Sequence, residues 1–220
     1  MSALLTEQIN TGGSLQTASG RQFAFVAPDV DQVSLEDIAH ALSHVCRFGG
    51  HVRRHYSVAE HSVRVSRICP PDHALAGLLH DSAEAFIGDM PTPLKRLDEC
   101  RGYVAVERRV EAVIARKFGL ASAEMHAEVK RADGILLATE ARDLLLRRPL
   151  FDISEAPLPG RIRPWSMRRA KFEFLARFCE LTGEGTRLTR TFVGARRLLK
   201  RLLGSPAVPL ATASANGAGH

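Results

Sequence analysis

The apolar side chains of this chain recur at intervals of three and four residues, and residues that start helices stand in front of them. Ser34 precedes Leu35, Ile38, Ala39, Leu42 and Val45, with Asp37 three residues on. Ser57 precedes Val58, His61, Val65 and Ile68, with Glu60 three residues on. An S-x-x-D or S-x-x-E start satisfies unpaired amides at a helix N-terminus, so helices begin at both places. A third is expected over residues 72–86, between the Pro70–Pro71 pair and Gly88. Others are expected over 104–118, 122–146, 167–181 and 188–203. Few alternating runs compete, apart from a brief strand at 21–25. The expected fold is an all-α bundle of six or seven helices, with a long loop over 147–165 that carries Pro149, Pro157, Pro159, Gly160 and Pro164.

The ends read differently. Residues 1–20 are rich in Ser, Thr, Gly and Gln and form a flexible arm or a short extended element. Residues 204–220 are dominated by small residues, Pro and Gly, which bury too little surface to offset their ordering entropy, so a disordered tail is expected. The folded domain is assigned to 21–203. Cys46, Cys69, Cys100 and Cys179 lie more than twenty residues apart, which excludes a C-x-x-C zinc or dithiol site and suits reduced thiols. No apolar run of about 18 residues is long enough to span a membrane, and the start lacks a signal peptide's basic and apolar regions. A cytoplasmic protein with no membrane role is expected.

Net charge is +6, and residues 142–201 hold 15 Lys or Arg against 6 Asp or Glu. Helical spacing of Leu188, Phe192, Ala195, Leu199 and Leu202 among those cations favours a solvated basic face over a nucleic-acid surface.

The chemistry lies elsewhere. His80 and Asp81 are adjacent in an apolar stretch with Leu75, Ala76, Leu78, Leu79, Ala83 and Ala85. An ionised Asp there is costly to desolvate unless something pairs with it, and a bound cation is one such partner. Neighbouring helical residues point about 100° apart, so other helices must complete the shell. His61, on the apolar side of its helix, is the best third ligand. Asp133, on the face shared by Val129, Leu136 and Leu137, is the best fourth. Two imidazoles and two carboxylates suit one divalent ion, among Mn, Co, Fe, Ni, Zn or Mg, better than Ca.

The order H, then HD, then D across three helices resembles the HD-domain metal-dependent phosphohydrolases. More narrowly, S-V-A-E-H-S followed by L-L-H-D-S-A-E-A-F-I-G-D-M-P-T-P-L-K is similar to the bacterial and phage branch with the YfbR-type deoxynucleotide 5'-nucleotidases. The likeness covers roughly residues 33–146. It implies an HD-domain bundle in which His61, His80, Asp81 and Asp133 are metal ligands, Glu84 and Asp89 catalytic carboxylates, and Arg47 a phosphate-binding arginine. Glu84 stands at i+4 from His80, in reach of a water at the metal. Asp89 follows Gly88, where the chain can turn back, and Pro91 and Pro93 stiffen the loop that presents Lys95 to a phosphate. His126 is the one histidine between Asp81 and Asp133, which points to one metal rather than two.

The expected activity is hydrolysis of (deoxy)nucleoside 5'-monophosphates, with a small-molecule nucleotide as partner and a homodimer left open. A deoxynucleoside triphosphate triphosphohydrolase using the same site is the near alternative. A non-catalytic nucleic-acid or protein-binding helical module is the alternative from another class.

Overall fold

The computed structural model describes residues 13–121, 126–147 and 153–203, with side chains to residue 198. The tail at 204–220 and the first twelve residues lie outside the described residues. Two short strands, β1 (Ser14–Gln16) and β2 (Gln22–Ala24), pair antiparallel with Leu15 opposite Phe23. Thus the arm expected over 1–20 takes its extended form from Ser14 onward. Its anchor is Asp37, whose carboxylate accepts from the Ser19 amide (2.8 Å), the Ser19 hydroxyl (2.7 Å) and the Thr17 hydroxyl (3.0 Å).

Apart from an isolated bridge between Cys46 and Ser57, the remaining regular structure among the described residues is helical, so the fold is an all-α bundle. α1 (Leu35–His44) and α2 (Val58–Ile68) start where the caps place them: Ser34 Oγ accepts from the Asp37 amide and Ser57 Oγ from the Glu60 amide. Then come α3 (Ala74–Leu79), α4 (Glu84–Ile87), α5 (Thr92–Lys95), α6 (Arg101–Phe118), α7 (Ala127–Leu144), α8 (Met167–Thr182) and α9 (Arg187–Leu203). Seven of these run to six residues or more among the described residues.

The helix expected over 72–86 is instead two, α3 and α4, joined by a tight turn. The amides of Ser82, Glu84 and Phe86 donate to the carbonyls of Leu79, Asp81 and Ala83, three residues back rather than four. The tighter winding sets in around His80, whose own backbone is still helical at φ −60° and ψ −35°. Gly88 ends α4 at φ 80°, a left-handed conformation that glycine adopts without strain.

α2 is the central helix and packs against α1, α3, α7 and α8. Residues Val58 to Ser66 are buried except Arg64. One cluster joins Val58 and Val63 to Ile38, Leu42, Leu78, Val110 and Phe174, and a second joins Val65 to Tyr56, Val129, Leu136 and Leu144. His61 sits between these two cores. Phe23 stacks on Phe86 at 4.0 Å, so the hairpin covers α4.

The described part of the long loop is laced to α7 and α2. The Arg142 guanidinium donates to the carbonyls of Leu158 and Gly160, the Ile162 amide donates to Asp143, and the Trp165 amide donates to Glu60. All four cysteines are free thiols, and no described helix is long and apolar enough to cross a membrane.

Candidate metal centre

His61 reaches the centre because α2 is buried on almost every side, and its side chain has no exposed surface. Its Nε2 lies 3.3 Å from His80 Nε2, 3.5 Å from Asp81 Oδ2 and 3.2 Å from Asp133 Oδ1. His80 Nε2 and Asp81 Oδ2 are 3.2 Å apart. α2 and the turn after α3 therefore bring His61, His80 and Asp81 together, and α7 sets Asp133 against His61. Ligand atoms of His61, His80 and Asp81 all lie within 4.8 Å of one another, and Asp133 joins them through His61.

The protons decide what this arrangement needs. His61 Nδ1 is 2.7 Å from Glu140 Oε1, and His80 Nδ1 is 3.0 Å from the Gly77 carbonyl oxygen. Both partners can only accept, so each imidazole carries a proton on Nδ1. In the neutral rings, the two Nε2 lone pairs then face each other and Asp81 Oδ2, and His61 Nε2 also faces Asp133 Oδ1. Arg47 Nη1 donates to Asp81 Oδ2 from one side, but the two Nε2 atoms have no donor between them among the described residues, and their approach to the carboxylates calls for a positive charge there, either a proton or a metal ion. The spacing fits a metal: with bonds of about 2.1 Å, cis donors around an ion lie about 3.0–3.4 Å apart. The set of two imidazoles and two carboxylates also fits a borderline divalent ion.

Without an ion, the charge comes from His61. Burial and the Arg47 guanidinium lower its pKa, but the carboxylates of Glu140 and Asp133 outweigh them and hold it at about 9. Burial pushes Asp81 up, yet His80, His61 and Arg47 together bring its carboxyl well below the usual range. Asp133 is likewise held down by its bond to His61 against burial.

Arg47 packs beside the cluster, with Nη1 3.3 Å from Asp81 Oδ2 and Nε 3.2 Å from Glu140 Oε2. These contacts leave the Nη2 edge as its remaining fork. Glu140 thus bridges Arg47 and His61 from a position with no exposed surface. It takes the place of the outer carboxylate that fixes the tautomer of a ligating histidine. Sequence reasoning gave Glu140 no role at the centre and missed its contact with His61. The signal was available: Glu140 lies seven residues after Asp133, two turns along the same face of α7.

Glu84 opens α4 just past the turn and is buried, with Oε2 lacking a hydrogen-bond partner among the described residues. Burial, then the carboxylates of Asp81 and Asp89, push its pKa well above the ordinary value. Asp89 is raised by burial, partly offset by Arg47. Both expected carboxylates therefore lie within electrostatic reach of Asp81. Lys95 is engaged otherwise: its ammonium pairs with Glu107 of α6 and sits over the Tyr103 ring. His126 caps α7 and stacks on His73 at 3.9 Å, away from the cluster.

No family model matches this chain. It is 44% identical over 130 residues to the uncharacterised protein YfdR of Escherichia coli (strain K12), a match covering 59% of this chain and 71% of that protein. It is also 35% identical over 138 residues to an uncharacterised protein of Rhodobacter capsulatus, covering 57% of this chain and 70% of the relative. With that identity over more than two thirds of the E. coli protein, the chain belongs to the same family as YfdR.

Proposed function

We propose that the chain is a metal-dependent phosphohydrolase of the HD-domain kind, acting on (deoxy)nucleoside 5'-monophosphates. The observation that carries this reading is the mutual approach of three acceptor atoms, His61 Nε2, His80 Nε2 and Asp81 Oδ2, to within 3.2–3.5 Å, with Asp133 Oδ1 3.2 Å from His61 Nε2. His61, His80, Asp81 and Asp133 would hold one divalent ion. Such an ion, when bound, supplies Lewis acidity to a phosphate oxygen and to the attacking water.

The chain's own residues supply the rest. Glu140 and the Gly77 carbonyl orient the two imidazoles. Glu84, buried beside Asp81 with one free carboxyl oxygen, is placed to hold a proton for the leaving oxygen or to take one from water. Asp89, at the turn made by Gly88, shares that proton traffic. Arg47 offers its free edge to a phosphate oxygen next to Asp81.

Cation supply favours a monophosphate. Arg47 already serves two carboxylates and Lys95 is bound to Glu107, so the centre has little unspent positive charge for three phosphates. A panel of ribo- and deoxynucleoside mono-, di- and triphosphates with Mn, Co, Mg and Zn should release inorganic phosphate from monophosphates. Tripolyphosphate as the main product would replace this reading with a triphosphohydrolase using the same residues. Absence of turnover with every compound and metal would leave a binding module instead.

A further inference from the structure

One turn beyond Glu140, where α7 ends, a cleft of about 450 Å³ is lined by Arg53, Arg54, Arg163, Asp143, Leu144 and Ile162 among others. None of these residues belongs to the His–Asp cluster. Arg53 and Arg54 come from the segment between Arg47 and α2, tied to α7 by the Arg53 amide donating to the Leu144 carbonyl at 3.1 Å. Arg163 comes from the loop before α8.

The charge in this cleft is unbalanced. Asp143 is already held by Arg142 through both oxygens, at 2.7 and 2.9 Å, and accepts the Ile162 amide at 2.7 Å. Arg54 and Arg163 are exposed and have no acidic partner among the described residues, and Arg53 reaches only the Leu146 carbonyl, at 3.5 Å. Like charges around one cavity repel, and an anion shared between them relieves that repulsion. Guanidinium forks match phosphate oxygens in particular. The volume falls in the range of small-molecule sites, about 300–1,000 Å³. Leu144 and Ile162, both almost fully buried, back the cleft with apolar packing.

We propose that this cleft is a second, separate anion site, which takes a phosphorylated small molecule of nucleotide size with its phosphates on Arg53, Arg54 and Arg163. The site stands whether or not the His–Asp cluster hydrolyses anything. Calorimetric titration of the full chain with ADP and with inorganic tripolyphosphate tests it, using the wild type, Arg54→Ala, Arg163→Ala, the double variant, and Asp81→Asn. The wild type should bind both probes, and each should raise its unfolding temperature. Each arginine removed should weaken binding about 10-fold, and the double variant about 100-fold, with unchanged circular dichroism. Asp81→Asn should keep the binding, because Asp81 is no part of the cleft. Equal binding by wild type and double variant would overturn the proposal, as would its loss in Asp81→Asn. Binding shown by oligonucleotides alone, and strengthening with their length, would also overturn it and assign the arginines to a nucleic-acid surface.

Discussion

Glu84→Gln should lower turnover of the best nucleotide by about 100-fold or more while leaving metal content and unfolding temperature close to those of the wild type. Glutamine keeps the volume of a side chain that is 7% exposed and has a free Oε2, so packing under the hairpin is retained. What it removes is an exchangeable carboxyl proton. Burial and the neighbouring carboxylates of Asp81 and Asp89 raise that proton's pKa, which is the condition for a carboxyl group to act as an acid near neutral pH. Single-turnover measurements separate the loss from any change in product release. An unchanged rate would remove Glu84 from the mechanism and leave proton transfer to Asp89.

Glu140→Ala should be the most destabilising single change around the centre, by about 3–5 kcal/mol, because it leaves Arg47 and His61 buried without their shared partner. Denaturant unfolding measures this directly. Glu140→Gln, which preserves shape, should fold and yet bind metal about 10–100-fold more weakly, as expected when the outer partner of a ligating histidine is lost. The pH dependence carries a further signature. His61 holds a proton up to about pH 9 in the metal-free protein and must shed it to bind an ion, so apparent metal affinity rises with pH and levels above about 9. Glu140, together with Asp133, raises that pKa, so the plateau of Glu140→Gln begins at lower pH. A stability loss under about 1 kcal/mol for the alanine variant, with unaltered metal affinity for the glutamine variant, would show that Glu140 neither supports nor orients His61.

The helices were legible because local chemistry writes them. Ser34 and Ser57 cap the helices expected of them, and the apolar faces of α1 and α2 are the buried ones. The His–Asp cluster was legible for a related reason: a carboxylate on an apolar face, as at Asp133, conflicts with burial unless something pairs with it. What eluded sequence reasoning was set by distant partners. Three-residue hydrogen bonding across the turn at 80–83 leaves no mark in apolar spacing. The hairpin depends on Asp37, 18 residues from Ser19, and the engagement of Lys95 depends on Glu107 on another helix. His61 and Glu140 are 79 residues apart, so only the common face of Asp133 and Glu140 hinted at their meeting.

The central claim is that four side chains on α2, α7 and the intervening turn hold one divalent ion. Metal analysis of the purified protein by inductively coupled plasma mass spectrometry, on the wild type and on a His80→Ala/Asp81→Ala double variant, tests it most directly. The predicted result is about one equivalent of a transition metal in the wild type and essentially none in the double variant. Stoichiometric metal retained by the double variant, or a wild-type protein that takes up no divalent ion when dialysed against Mn, Co, Zn or Mg, would contradict it.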